Sequence, residues 1–413
     1  MVVDPSETVE QFRGRVRDWL AANLPRITPG ATAARDSDEL WHRARELQRL
    51  LYEGGFAGIC FPREYGGLGL SYPYQRAFDE ESLGYELPVC LNLPSFAICC
   101  ATILDTGSEE QKKTHIAAAI RGDEVLVQLL SEPGGGSDLA GVTTRAERRP
   151  DGRWVLNGAK TWSTGAFAAD YGLCLARTDW SVPKHEGLTM FLVPINHPGI
   201  TLRRIEQVNG SREFCEEFLD DVDVGEDAVL GEVNNGWAVA TRQLFHERLS
   251  LGNGSMYSSG VGSESPEDRP LDFIDLVARS GRDSDPAVRL AAGRALVHRQ
   301  VTRQLTEHIF KGMQDGTIPP TYGTILRLAA AETHEFEADT ALAIAETSAA
   351  VDCSDGLFDV GERFLSRQVL SIGGGTTEMA RNVIAERILD MPREYSADRG
   401  VPFDQVRHNR PPT

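Results

Sequence analysis

What most constrains this chain is that its hydrophobic period changes twice. Up to about residue 123, apolar positions recur at three- and four-residue spacing, over residues 11–24, 37–54 and 109–120, which is helix. Gly66, Gly67 and Gly69 punctuate a loop between helices. From about 124 to 230 the pattern shortens to apolar runs: VLVQLLSEP, RWVLNGAKTWST, YGLCLART and LTMFLVPI. Asp151-Gly152, Asn157-Gly158 and Pro198-Gly199 bound them, which reads as an all-β block with hairpins. From Asn235 to about 390 the helical period returns in alanine-rich stretches such as TILRLAAAETHEFEADTALAIAETSAA. The polar insert VGSESPEDRPLDF reads as a surface loop, and SADRGVPFDQVRHNRPPT as an extended arm.

The expected architecture is therefore α+β, with an all-α region over 1–123, a β region over 124–231, a helical bundle over 232–395 and a tail over 396–413. Helices, then strands, then helices exclude a fold in which strand and helix alternate throughout. No internal repeat is present.

A formal net charge of -19 argues against non-specific nucleic-acid binding, which needs a basic field. It does not exclude an anionic ligand held by a local cluster of donors. The seven cysteines form no CxxC pair and have no histidine cluster beside them, so no metal site is expected. The odd count and the polar start MVVDPSETVEQF point to reduced thiols in the cytoplasm. No apolar run is read as approaching the roughly 20 residues of a membrane span.

Three stretches carry possible chemistry. The first is QLLSEPGGGSD, from Gln128 to Asp138: a strand running into a turn whose three glycines let backbone amides approach a ligand or form an anion nest. Taken alone, a plain tight loop is the simpler account. The second is NGAKTWSTG, from Asn157 to Gly165, where Trp162 could pack on a planar ring and Thr164 could donate to a ring nitrogen. A core tryptophan before a turn explains it as well.

The third is GWAVATRQLFHERLSL, from Gly236 to Leu251. On a helix, Ala240, Leu244, Glu247 and Leu251 share a stripe. A carboxylate on an apolar stripe is costly unless paired or neutral, and desolvation would move its pKa toward that of a general base. A structural role in an ion pair with Arg248 is an equal reading. His246 reads as an ordinary polar helix residue.

Together and in this order, these stretches resemble the acyl-CoA dehydrogenase family, from about residue 10 to 393. FPREYGGLG, GLTMFLVPI, FLDDVDV and GGGTTEMARNVIAERIL match it too. The resemblance implies a helical domain, a middle β-barrel-like domain and a C-terminal four-helix bundle, with FAD as cofactor. It implies that Leu130 and Ser131 contact the flavin edge and that Trp162 covers one ring face. Thr164 would reach the N5 side, and Gly375 and Thr376 would approach the cofactor. Ser137 would lie near the pyrophosphate or the CoA arm, and Arg248 would match an arginine of that arm. The implied reaction removes a proton from Cα and a hydride from Cβ of an acyl-CoA, giving a trans-2-enoyl-CoA, with electrons passing to an electron-transferring flavoprotein.

Two departures shape the expectation. Most members carry the base as a Glu before the late Gly-Thr, where this chain has Gly374. A minority place it on the earlier helix, at the position of Glu247, so Glu247 is the expected base. Gly374 would then offer its N–H to the thioester carbonyl, and Gly373 and Gly374 would widen the pocket for a bulky or branched acyl group. Second, the Arg-x-x-Phe-Gly and Gly-Gly-Asn-Gly segments that hold the ADP half of FAD between subunits are replaced by ARSGRDSDP (278–286) and SAAVDCSDG (348–356). This resembles the actinobacterial steroid-degrading α2β2 enzymes, in which a second subunit supplies missing cofactor contacts; a homo-oligomer is the other arrangement. The alternatives are a non-catalytic scaffold subunit, or a flavin N-hydroxylase or oxidase on the same fold.

Overall fold

A computed structural model describes residues 7–27, 36–251, 255–260, 270–351 and 357–406. It divides the chain into two compact units. The first comprises Met1–Gln207, Ser211–Ser263 and Ser396–Thr413; the second comprises Val208–Gly210 and Glu264–Tyr395.

The first unit opens with helices α1 (Val9–Asn23), α2 (Asp38–Gly54) and α3 (Tyr72–Ser82). Thr8 and Gln11 form a capping box at the start of α1, and left-handed Gly55 ends α2 at φ 75°. Phe12, Val16 and Leu20 recur at four-residue spacing on α1, and all three are buried. Phe56 packs against Phe12, Trp19 and Phe78 at the centre of this aromatic core.

A composite helix follows: a π-helical stretch, Asn92–Cys100, continues as α4 (Ala101–Thr106). Residues Val89–Thr106 have a mean hydropathy of 1.5, enough by length and composition to cross a bilayer, which corrects the reading that no run comes close. Some 61% of that window is buried inside the protein, as in the core helix of a globular unit. Then come α5 (Glu109–Gln111), a π turn (Lys112–Ile116) and α6 (Ala117–Arg121), where the sequence shows one continuous helix.

The β block forms β1 (Leu126–Leu129), β2 (Arg145–Arg148), β3 (Trp154–Thr164), β4 (Tyr171–Arg177), β5 (Leu188–Pro194), β6 (Ile200–Arg204), β7 (Phe214–Val224) and β8 (Val229–Leu230). They make one sheet in the order β6-β7-β3-β2-β4-β5-β8, with β1 pairing parallel to β4. Asp151-Gly152 turns β2 into β3, and Pro198-Gly199 lies between β5 and β6. Asn157-Gly158 is no turn. It sits inside β3, where the ladder to β7 slips between Leu156 and Gly158. The Asn157 amide spans the slip, donating to Asp221 Oδ1 at 3.1 Å and accepting from the Asp221 N–H at 2.9 Å. A Cβ at Gly158 would stand 2.7 Å from Thr144 Cα, so glycine is needed there for close packing.

Helix α7 (Gly236–Leu251) closes this unit, packing on the π-helical stretch, α4 and β5. A Cβ at Gly236 would fall within 2.7 Å of the Thr189 backbone, which lets α7 start directly against β5. The described part of the tail returns to the sheet: Phe403 is buried, its N–H donates to the Val182 carbonyl at 2.9 Å, and the Arg177 guanidinium lies 3.5 Å from its ring centre.

The second unit is helical: α8 (Phe273–Arg279), α9 (Pro286–Gln314), α10 (Gly323–Ala345), α11 (Phe358–Ser366), α12 (Val369–Ile372) and α13 (Thr377–Arg387). α10 is central, packing against α8, α9, α11, α12 and α13. Phe273, Leu276, Val288, Ala295, Ile344 and Val360 form the core. Most of the insert read as a surface loop, residues 261–269, lies outside the described residues, as does Cys353.

Candidate active site

Glu247 lies on the last full turn of α7, half-buried. The buried face of this helix runs through Val239, Ala240, Gln243 and His246. The stripe read from the sequence is thus one edge of that face: Ala240 is buried, Leu244 packs against the core, and the Leu251 side chain lies outside the described residues. Gln128 Nε2 donates to Glu247 Oε2 at 3.1 Å, joining α7 to β1. Across from the carboxylate is Cys99 of the π-helical stretch, whose thiol is held protonated mainly by burial and further by Cys100 and the Glu247 charge.

The neighbouring polar residues of α7 point elsewhere. His246 Nε2 sits 2.7 Å from Asp105 Oδ2, and Arg242 also contacts Asp105. Burial lowers the His246 pKa below its ordinary value, while Asp105 pulls the other way. That leaves His246 a structural partner of α4. Arg248 is exposed and forms no ion pair among the described residues, so the ion-pair account of Glu247 finds no support in it.

β1 runs on through Leu130, buried, and Ser131, half-buried, into the turn Glu132–Gly135, closed by backbone hydrogen bonds of 3.2 and 3.0 Å. None of Gly134, Gly135 and Gly136 takes a positive φ, so the alternating backbone of an anion nest is not formed. Instead, a Cβ at Gly134 or Gly135 would meet nothing within 4 Å, so the loop presents bare backbone to open space. Ser137 is exposed at its far end.

Beneath the loop is an ion pair that the sequence reading missed. Lys160 Nζ, fully buried, donates to Glu132 Oε1 at 2.9 Å and to the Leu130 carbonyl at 3.1 Å. Glu132 also accepts from the N–H groups of Thr143 and Thr144, at 2.7 and 2.8 Å. Burial opposes its ionisation, yet Lys160 and these donors prevail and hold its pKa at about 2. The Thr161 N–H bonds the Ser131 carbonyl at 3.0 Å, so residues 130–132 are pinned to β3. The available signal was a lysine inside an apolar strand, which implies a buried partner.

Trp162 is no core tryptophan. It sits at a second slip of the β3–β7 ladder, between Thr161 and Ser163, with φ 65°, and it is 56% exposed. Phe214 meets it edge-on at 5.8 Å. A left-handed tryptophan that turns a ring to the outside is suited to covering a planar ligand, and Thr164 is exposed on the same side of β3. This bare loop and open indole fit a flavin.

In the second unit, Gly374 and Gly375 adopt φ 69° and 95°, and Thr376 caps α13, accepting from the Met379 N–H at 3.2 Å. Arg327 donates to the Gly373 carbonyl. The left-handed backbone at 374 is one that side-chain-bearing residues rarely adopt, so glycine suits that position. No group of residues able to hold a metal is found among the described residues.

The family models for the N-terminal, middle and C-terminal domains of acyl-CoA dehydrogenases match residues 6–123, 128–222 and 234–389. Acyl-CoA dehydrogenase IpdE1 of Mycobacterium tuberculosis is 32% identical over 394 residues, covering 94% of this chain and 99% of its own. Among solved structures, the Tcur3481-Tcur3483 steroid ACAD superimposes with a TM-score of 0.71 at 26% identity, over 95% of this chain and 100% of that one. The ChsE4-ChsE5 complex of Mycobacterium tuberculosis gives 0.68 at 23% identity, over 95% and 100%, which bears on the fold alone. The chain belongs to the acyl-CoA dehydrogenase family, FAD-dependent enzymes that dehydrogenate acyl-CoA thioesters.

Proposed function

We propose that this chain removes the Cα proton of a bulky or branched acyl-CoA with Glu247 as base, producing a trans-2-enoyl-CoA. The observation that carries this is the Gln128–Glu247 bond: a carboxylate at the edge of the buried face of α7, held by the strand that continues into Leu130 and Ser131. When bound, FAD supplies the hydride acceptor and passes electrons on to an electron-transferring flavoprotein.

Leu130, Ser131, Trp162 and Thr164 are the residues proposed to hold the ring, and Ser137 and Arg248 the CoA arm; the exposure of Trp162, Thr164, Ser137 and Arg248 supports this. For Gly374, Gly375 and Thr376 the proposed roles, and the roomier pocket, rest on the resemblance. The chain's contribution is to orient the acyl group and accept its proton at a carboxylate oxygen.

The chain is further proposed to work as the catalytic half of a heteromer. Leu290, Val297 and Val301 on α9, with Ile372, Leu389 and Met391, leave apolar surface uncovered in the second unit. The arginines that replace the family's ADP-binding segment are already engaged, Arg279 with Asp275 at 2.7 Å and Arg282 with Glu346 at 2.6 Å. A cytoplasmic setting belongs to the same proposal, with Cys60, Cys90, Cys99, Cys100, Cys174 and Cys215 outside any disulfide.

The test is co-expression with candidate partner subunits, then flavin bleaching on addition of bulky acyl-CoA thioesters. Bleaching by the wild type, lost in Glu247→Gln with FAD still bound, is the expected result. Bleaching that survives in the variant places the base elsewhere.

A further inference from the structure

One buried polar side chain of α7 has no task in the site described above. Gln243 is 0% exposed, and neither its amide nitrogen nor its amide oxygen has a hydrogen-bond partner among the described residues. A buried amide left unpaired carries a desolvation cost that an apolar side chain would avoid. The surrounding polar groups are already committed. Arg242 and His246 hold Asp105, and Glu247 takes Gln128. On the facing composite helix, Ser95 Oγ bonds the Leu126 carbonyl and N–H, Thr102 Oγ1 bonds the Ile98 carbonyl, and Asn92 bonds the Gly260 carbonyl and the Ser259 N–H. Each of these side chains is satisfied without the Gln243 amide.

Gln243 precedes Glu247 by four residues, so the two stand on adjacent turns of one helix side, with Cβ atoms roughly 5–6 Å apart. A base acting at Cα brings the acyl group to that turn. We propose that Gln243 is a specificity residue that binds an oxygen on the acyl group, a hydroxyl or a ring ketone, a few bonds from Cα. The amide offers two N–H donors and one acceptor, so it satisfies either oxygen type. The inference rests on the reading of Glu247 as base, and it narrows the substrate class to oxygenated bulky acyl-CoAs.

The test uses the FAD-loaded protein with its co-expressed partner and three probes: cyclohexylpropanoyl-CoA, its ring-hydroxyl counterpart and its ring-ketone counterpart. Binding is measured by calorimetry in wild type, Gln243→Leu and Gln243→Met, each also in a Glu247→Gln background. Wild type is expected to bind at least one oxygenated probe about tenfold or more tighter than the hydrocarbon, with the ratio collapsing toward one in both variants. The same collapse is expected in the Glu247→Gln background, so failure of the base assignment leaves this result standing. The Met variant is expected to melt no lower than wild type, since it removes an unpaired amide without changing bulk. A ratio that survives both substitutions, or a wild type without preference, overturns the proposal. So does loss of FAD or a lower melting temperature in the Met variant, which would assign the amide to the cofactor or the core.

Discussion

Gln128 Nε2 stands 3.1 Å from Glu247 Oε2, so the strand leading to Leu130 and Ser131 also aims the carboxylate of α7. Gln128→Leu removes this donor at similar bulk and loosens the aim of the carboxylate. Misplacement by about 1 Å costs up to roughly a hundredfold in rate. The expected outcome is a loss of about tenfold or more in the rate of flavin reduction by acyl-CoA, with little change in KM. Stopped-flow reduction of the loaded enzyme reads both, and an unchanged rate would make the bond incidental.

The Lys160–Glu132 pair fixes the loop before the three glycines. Removing one partner strands a charge in the interior, so Lys160→Met is expected to destabilise the protein by about 3–5 kcal/mol. The double change Lys160→Met with Glu132→Gln removes the stranded charge and should recover part of that loss. Urea unfolding of the four species measures the coupling. If the two losses simply add, the pair is not the brace described here.

The three-part order was legible because periods of 3.6 and 2 survive in the sequence wherever one face of an element is buried. Asn157-Gly158 was misread because the same dipeptide serves a hairpin turn and a ladder slip, and only the cross-strand partner Asp221 separates the two. Glu247 could be picked out as a polar residue on an apolar stripe. Gln128 and Lys160 could not be paired with it or with Glu132, because those contacts join residues far apart in sequence. The docking of Phe403 was equally hidden, since one aromatic in a polar tail carries no period.

A second buried carboxyl makes stability depend on pH. Glu217, fully buried on β7, accepts from Ser163 Oγ at 3.0 Å, and its other oxygen has no partner among the described residues. Burial raises its pKa to about 7, against the opposing effects of Ser163 and Lys160. The folded state therefore holds a proton that the unfolded state releases near pH 4.5. The resulting stability is full below that value, falls as pH rises through the window up to about 7, and is absent above it. Glu217→Gln should flatten this slope and raise the melting temperature at pH above about 7, read from thermal melts across the range. A slope that persists in the variant would assign it to other groups.

Trp162 separates a ligand role from a packing role. Its φ of 65° is unfavourable for a side-chain-bearing residue, by roughly 1–2 kcal/mol, and its ring is 56% exposed. A tryptophan that served only the fold would lose stability when removed. Here Trp162→Gly relieves the backbone and gives up little buried area, so the flavin-free protein is expected to melt at or above the wild-type temperature. The same change takes away the ring proposed to cover the flavin. Aromatic stacking contributes about 0.5–1.5 kcal/mol beyond area, so FAD affinity should fall by at least roughly two- to tenfold. Trp162→Phe restores part of the affinity and keeps the strained backbone. Calorimetric melts of the apoprotein and FAD titration by fluorescence quenching measure the two effects separately. An apoprotein destabilised by Trp162→Gly, with flavin affinity intact, would return Trp162 to the role of a packing residue and remove the main support for a flavin against this face of β3.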